Sequence, residues 1–206
     1  VRRARPQAGA EEAARMSLRI VAGQWRGRKL AAPQGEDTRP TADRVRETLF
    51  SMLVSRLGSF EGLAVADLFA GSGALGLEAL SRGAASCVFV EQSAPAIRAL
   101  RQNIANLHAQ AQSDVRASSV LALGPAKQPL DLILLDPPYN TGAGSVALDK
   151  LARLGWIGAG TWISLETEAN EEPKVRGLEV EAERRVGKAR ITLLRKAPVS
   201  PPDAPA

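Results

Sequence analysis

Cysteine and histidine are almost missing from this chain. One of each occurs in 206 residues, Cys87 and His108. No internal disulfide can therefore form, and both a zinc site and a Ser-His or Cys-His hydrolase are argued against. Cys87 lies in the apolar run Cys87 to Val90 and is expected to pack as a small buried hydrophobe. Long apolar runs are missing as well. There is no stretch of roughly 18 apolar residues to span a membrane. The opening Val1-Arg2-Arg3-Ala4-Arg5-Pro6 leads into nothing that would serve as a signal sequence. The expectation is a soluble, cytoplasmic protein with no metal and no membrane partner. With 45% of its residues apolar, a chain of this length buries one good core and a small appendage.

Charge is unevenly spread. Residues 1–46 carry 11 Lys and Arg against 5 Asp and Glu, whereas the rest of the chain is close to neutral. A basic front end on a neutral body suits phosphate-backbone binding, although solvated residues on a tail and a hairpin would give the same numbers. Residues 1–15 are rich in Ala and Arg without apolar periodicity, and residues 197–206 hold four prolines. Both ends are expected to be disordered. Between them, 16–60 reads as an appendage of a hairpin and a helix, and 61–196 as the main domain.

Within the appendage, two strand-like pieces from Leu18 to Leu30 flank a turn at Gly23-Gln24-Trp25-Arg26-Gly27. Thr41 offers an N-cap for a helix whose apolar residues Val45, Leu49, Leu53 and Leu57 recur every four positions. Then short Val, Leu and Ile runs alternate with helical stretches. Strands are expected at Leu63 to Phe69, Ser86 to Glu91, Asp114 to Ala117, Leu130 to Leu135 and Thr161 to Glu166, with helices near Ala74 to Arg82, Pro95 to Leu107 and Ser145 to Leu154. Continuous apolar strands separated by helices specify a doubly wound, Rossmann-like α/β fold with a mostly parallel sheet. Leu178 to Val186 and Lys188 to Leu194, separated by Gly187, would add a C-terminal antiparallel hairpin.

Two motifs carry the chemistry. Asp67-Leu68-Phe69-Ala70-Gly71-Ser72-Gly73-Ala74-Leu75-Gly76 puts G-x-G-x-x-G between the first strand and the next helix. Glycines there let the backbone turn sharply against a cofactor. Glu91 ends the second strand, 20 residues after Gly71, where a carboxylate accepts hydrogen bonds from both ribose hydroxyls of an adenosine. The pair indicates a nucleoside cofactor and leaves NAD and S-adenosylmethionine both open. The second motif is Asp136-Pro137-Pro138-Tyr139, entered directly from a buried strand. Asp-Pro-Pro is also an ordinary strand stop. Behind the glycine loop and Glu91 it discriminates, because the amino group of an aromatic base is a poor nucleophile. Asp136 and the Pro137 carbonyl would each accept one N–H and aim the nitrogen lone pair at a methyl group. Tyr139 would stack on the extruded base, worth about 1–3 kcal/mol.

These residues resemble the bacterial small-subunit (16S) ribosomal RNA guanine-N2 methyltransferases of the RsmD type, across roughly Leu18 to Lys196. The resemblance rests on Arg19 to Leu30 (RIVAGQWRGRKL), on Arg39 to Phe50 (RPTADRVRETLF), on the glycine loop through Glu78 and on Asp136 to Tyr139. It implies a seven-stranded methyltransferase fold, S-adenosylmethionine as donor, and ribosomal RNA or the assembling small subunit as partner. It further implies cofactor contacts from Arg39 and Thr41 at the methionine end and from Asp67, Phe69, Gly71, Ser72, Gly73, Glu91, Ser118 and Asp136. Trp25, Arg26, Arg28 and Lys29 would touch RNA, Trp25 having a packing role as its alternative. Where the family often places an acid or amide after the third strand, Arg116-Ala117-Ser118-Ser119 offers the shorter Ser118. The residues before Met16 exceed the usual family start and read as an extension or a misplaced start codon. Three rivals differ in class. A nicotinamide dehydrogenase leaves Asp136 to Tyr139 without purpose. A DNA or RNA amino methyltransferase acting on adenine N6 or cytosine N4 would use the same tetrapeptide, but for DNA is opposed by the absence of a separate target-recognition domain in so short a chain. A non-catalytic RNA-binding fold would require that cofactor binding fail. An enzyme acting on one site of a large particle has no need to dimerise, so a monomer is expected.

Overall fold

The computed structural model describes residues 18–33, 40–173 and 175–196. The expected disordered ends and Arg39 lie outside these residues, as do the side chains of Pro40 and Thr41. A seven-stranded sheet runs in the order β3-β2-β1-β4-β5-β7-β6. Its parallel part comprises β1 (Ala64–Leu68), β2 (Ser86–Glu91), β3 (Ser113–Ala117), β4 (Leu132–Leu135) and β5 (Trp162–Glu168). β6 (Leu178–Val186) and β7 (Ala189–Lys196) form the antiparallel hairpin, with β7 laid against β5.

Side-chain alternation explains why β1 and β4 read as unbroken apolar runs. Val65, Leu132 and Leu134 face one core, while Ala66, Leu68, Ile133 and Leu135 face the other. The first core is covered by α1 (Pro40–Leu57), α2 (Ala74–Ser81) and α3 (Ala94–Asn106), the second by α4 (Ala143–Arg153). Cys87 is buried, as expected. In α1, Val45, Leu49 and Leu53 are buried at the expected spacing together with Phe50. Thr41 is not the N-cap. The helix starts one residue earlier, because Pro40 supplies a helical φ and has no N–H to leave unpaired in the first turn.

The expected N-terminal hairpin is present in short form: Arg19 and Lys29 form an antiparallel bridge, flanked by the Leu30 amide on the Leu18 carbonyl (2.8 Å) and the Ile20 amide on the Arg28 carbonyl (2.9 Å). Its turn sits on the end of α2. Gln24 N donates to the Ser81 carbonyl at 2.8 Å, and a Cβ on Gly23, whose φ is 84°, would fall 1.8 Å from that same oxygen. Only glycine fits this contact. Glu78, fully buried in α2, accepts the amides of Val21 (2.7 Å) and Ala22 (3.0 Å) and the Arg82 guanidinium (2.8 Å). Through these bonds residues 18–30 and the sheet share one core.

Candidate active site

The chain reverses its direction of winding between β1 and β4, which are neighbours in the sheet. Open α/β sheets leave a crevice at such a point, beyond the carboxyl ends of the strands. A cavity of about 820 Å³ lies there, lined by residues at and beyond the carboxyl ends of β1 to β4, by Glu166 of β5, and by residues of the N-terminal segment and α1. Phe69 leaves β1 with φ 61°, strained for a bulky residue, and Gly71 follows with φ 54°. A Cβ on Gly71 would meet no atom within 4 Å, so packing does not demand glycine here. Its bare backbone leaves room beside the cavity it lines. Gly73 behaves otherwise and does not line the cavity. It caps α2 with φ 81°, and a Cβ would lie 2.3 Å from Leu100 Cδ1, so close helix packing is its requirement.

Glu91 ties the crevice together. Its Oε2 accepts the Gly71 amide at 2.8 Å, and its Oε1 accepts the amides of Gln92 and Ser93, both at 2.8 Å. A carboxylate has about four acceptor sites, so three of those on Glu91 are taken by backbone amides. Asp67, buried, accepts the Gly76 amide at 2.8 Å. Burial, with a smaller push from the Glu91 charge, raises its carboxyl from 3.8 to about 8 against the lowering effect of that hydrogen bond. Ser72 and Ser118 line the cavity, and Ser118 N closes a turn on the Arg116 carbonyl at 3.0 Å.

Asp136 follows β4 and lines the cavity with Pro137, Pro138 and Tyr139. Thr141 Oγ1 donates to the Pro138 carbonyl (2.7 Å), while the Pro137 carbonyl has no donor among the described residues. Gly144 lets α4 lie close on this turn, since a Cβ would be 3.1 Å from Pro137 Cγ. The Tyr139 hydroxyl donates to Glu166 Oε1 at 2.5 Å. Burial and this bond to a carboxylate push the phenol well up, and burial raises Glu166 too. The motif thus gains a partner that the sequence reading did not single out.

Two further residues were missed. Arg46 lines the cavity although it is 4% exposed. Its Nη2 donates to the Arg19 carbonyl (2.7 Å) and to Asp43 Oδ1 (2.9 Å), whereas its buried Nε has no partner among the described residues. Of the described residues lining the cavity it is the one cation, facing Asp67, Glu91, Asp136 and Glu166. Asn103 is fully buried in α3. Its Nδ2 donates to the carbonyls of Ala31 and Ser72, each at 2.9 Å, and its Oδ1 accepts the Ala31 amide at 2.7 Å. It joins the N-terminal segment to the glycine loop. Its signal was an Asn on the apolar stripe of a helix, beside Leu100 and Ile104.

Residues 18–195 match the family described as Conserved hypothetical protein 95. Ribosomal RNA small subunit methyltransferase D of Escherichia coli is 40% identical over 151 residues, covering 73% of this chain and 75% of that protein. The protein of the same name from Haemophilus influenzae is 39% identical over 162 residues, covering 77% and 82%. The chain belongs to this methyltransferase family. Its fold is likewise similar to the solved structure of yhhF from E. coli, a candidate methyltransferase, with TM-score 0.77, 34% identity, and 87% and 98% of the two chains covered.

Membership in the methyltransferase family leaves the four residues assigned to RNA in a different setting from the cavity. None of Trp25, Arg26, Arg28 and Lys29 lines it. Trp25 is partly buried against the core and its amide donates to Ser81 Oγ at 3.0 Å, the packing alternative. Arg28 Nη2 donates to the Asn106 carbonyl at 2.6 Å, at the negative end of α3. Arg26 and Lys29 are exposed.

Proposed function

We propose that this methyltransferase moves a methyl group from S-adenosylmethionine to the exocyclic N2 of a guanine in small-subunit ribosomal RNA. The carrying observation is the pairing, on one cavity, of Asp136 and Pro137 with the Glu91-braced glycine loop. The acceptor class is supported by the relatives named small subunit methyltransferase D.

The cavity suits a cofactor of mixed charge. S-adenosylmethionine supplies a methyl group on a cationic sulfur, and carries an ammonium and a carboxylate besides. Arg46 and the segment near Thr41 hold the carboxylate end, Arg46 being the cation within reach of an anion. Asp67 and Phe69 bound the loop side with Gly71 and Ser72, while Glu91 takes a ribose hydroxyl. Ser118 with its neighbouring backbone takes the adenine edge. Asp136 accepts one N–H of the base amine and the Pro137 carbonyl the other. This orients the lone pair, and positioning of that kind supplies much of the barrier reduction. Tyr139, its hydroxyl pinned by Glu166, offers its ring to the base. Arg26 and Lys29 lie outside the crevice and meet phosphates.

Incubation with methyl-labelled cofactor and three acceptors tests this: under-methylated small ribosomal subunits, naked small-subunit RNA, and duplex DNA. Label in ribosomal RNA is expected. Label in DNA would move the enzyme to the DNA amino methyltransferases.

A further inference from the structure

Asp-Pro-Pro-Tyr explains how an amino nitrogen is held, and it would serve the amines of adenine, cytosine and guanine alike. What differs between these bases is the ring nitrogen beside the amine. In guanine, N1 bears a hydrogen and donates. In adenine and cytosine the corresponding ring nitrogen has a lone pair and accepts. A site for guanine therefore needs an acceptor-only group one atom along from the one that holds the amine, and an ionised carboxylate is such a group.

Among the described residues four carboxylates line the cavity, and their settings separate them. Asp67 is buried beneath the loop on the Gly76 amide. Glu91 already holds three backbone amides. Asp136 belongs to the amine. Glu166 remains. It lies in β5 one residue beyond Leu165, which pairs with Leu135, the last residue of β4 before Asp136, so the two carboxylates stand at the same end of neighbouring strands. Its Oε1 is fixed by the Tyr139 hydroxyl, and its Oε2 has no hydrogen-bond partner among the described residues. A base stacked on Tyr139 would lie against the side chain to which this carboxylate is bonded.

We infer that Glu166 is the residue that selects guanine, its carboxylate accepting N1–H while Asp136 and the Pro137 carbonyl hold N2. This rests on the guanine reading above and adds the reason for it. Adenine or cytosine in the same pose would put a ring lone pair against the carboxylate, a repulsive element of the kind specificity requires. The hydrogen bond from Tyr139 sets the carboxylate's orientation, so one residue serves both stacking and selection.

The test replaces the acceptor atom on one side and the donor on the other. Once the labelled nucleotide has been located in wild-type product, small-subunit RNA is rebuilt by ligation with 2-aminopurine at that position. This base keeps the N2 amine but has a lone pair at N1. The wild-type enzyme should prefer guanine by tenfold or more in kcat/KM. Glu166→Gln, which can still accept from Tyr139 and now offers an N–H to a ring nitrogen, should bring the two substrates to within about threefold. An equal loss on both bases would make Glu166 a mere support for Tyr139 and overturn the assignment, as would a wild-type enzyme indifferent to the substitution. Equal cofactor affinity and melting temperature in the two proteins exclude misfolding. Methyl found on adenine in the first, wild-type digest would overturn the guanine reading itself, before any variant is made.

Discussion

Asp67 and Arg46 have opposite problems, each a polar group buried beside the crevice. Asp67 is raised to about 8, so the folded protein holds a proton between pH 3.8 and about 8 that the unfolded chain releases. Its favourable contribution is complete below 3.8 and is lost as pH rises through about 8. Asp67→Asn keeps an acceptor for the Gly76 amide and cannot ionise. The variant should gain on wild type by on the order of a few kcal/mol between pH 5 and 9. Parallel unfolding curves across that range would contradict this. For Arg46, a carboxylate contact predicts discrimination between two ligands. Arg46→Lys, which keeps the charge but loses the fork, should weaken S-adenosylhomocysteine about tenfold. Methylthioadenosine, which lacks the amino-acid end, should bind as before. Calorimetry showing both ligands weakened alike would reduce Arg46 to a tie on Arg19 and Asp43. At this scale the sequence was legible where a residue ended a strand. Glu91 and Asp136 sit at the crevice because β2 and β4 deliver them there. Asn103 was illegible because it lies inside α3 and its partners Ala31 and Ser72 come from distant parts of the chain, and Glu166, though expected to end a strand, belonged to no motif and meets Tyr139 from 27 residues away.

Among the elements, the parallel strands were readable from their unbroken apolar runs, since burial on both faces removes the polar alternation that marks an exposed sheet. β2 begins and ends where expected, and β1 and β4 are a residue or two shorter. The N-terminal hairpin is short. Its two pieces pair through Leu18 with Leu30 and Ile20 with Arg28, while the backbone of the turn goes to Glu78 and Ser81 of α2 and that of Ala31, just beyond it, to Asn103 of α3. This gives Asn103→Ala a specific consequence. Three hydrogen bonds are lost, and the Ala31 and Ser72 groups they satisfied become unpaired, at a cost of about 2–4 kcal/mol. Because Ser72 lies in the cofactor loop, affinity for S-adenosylhomocysteine should fall together with the melting temperature. A destabilised variant with unchanged affinity would show that the loop holds its shape without this tie.

For the molecule as a whole, the uneven charge of the sequence and the position of the crevice describe two surfaces of one enzyme. Arg26, in the turn seated on α2, and Lys29, in the bridge that follows it, are exposed and do not line the cavity. Replacing both with Glu should weaken RNA binding and flatten its dependence on salt by roughly 1.5 to 2 in logarithmic slope. Cofactor affinity should not change, and an unaltered salt slope would remove both residues from the RNA surface. The doubly wound architecture was readable from the alternation of strands and helices, and the methyl-transfer chemistry from Asp136 to Tyr139. The choice of guanine came only through the resemblance carried by Arg19 to Leu30 and Arg39 to Phe50, because Asp136 to Tyr139 would hold any base amine alike. The most direct test of the account is mass spectrometry of nucleosides released from under-methylated small subunits after reaction with wild-type enzyme and with Asp136→Ala. The account predicts N2-methylguanosine from the first and a loss of at least a hundredfold in its rate from the second, at equal cofactor affinity. N6-methyladenosine as the product, or N2-methylguanosine formed at an undiminished rate without Asp136, would contradict it.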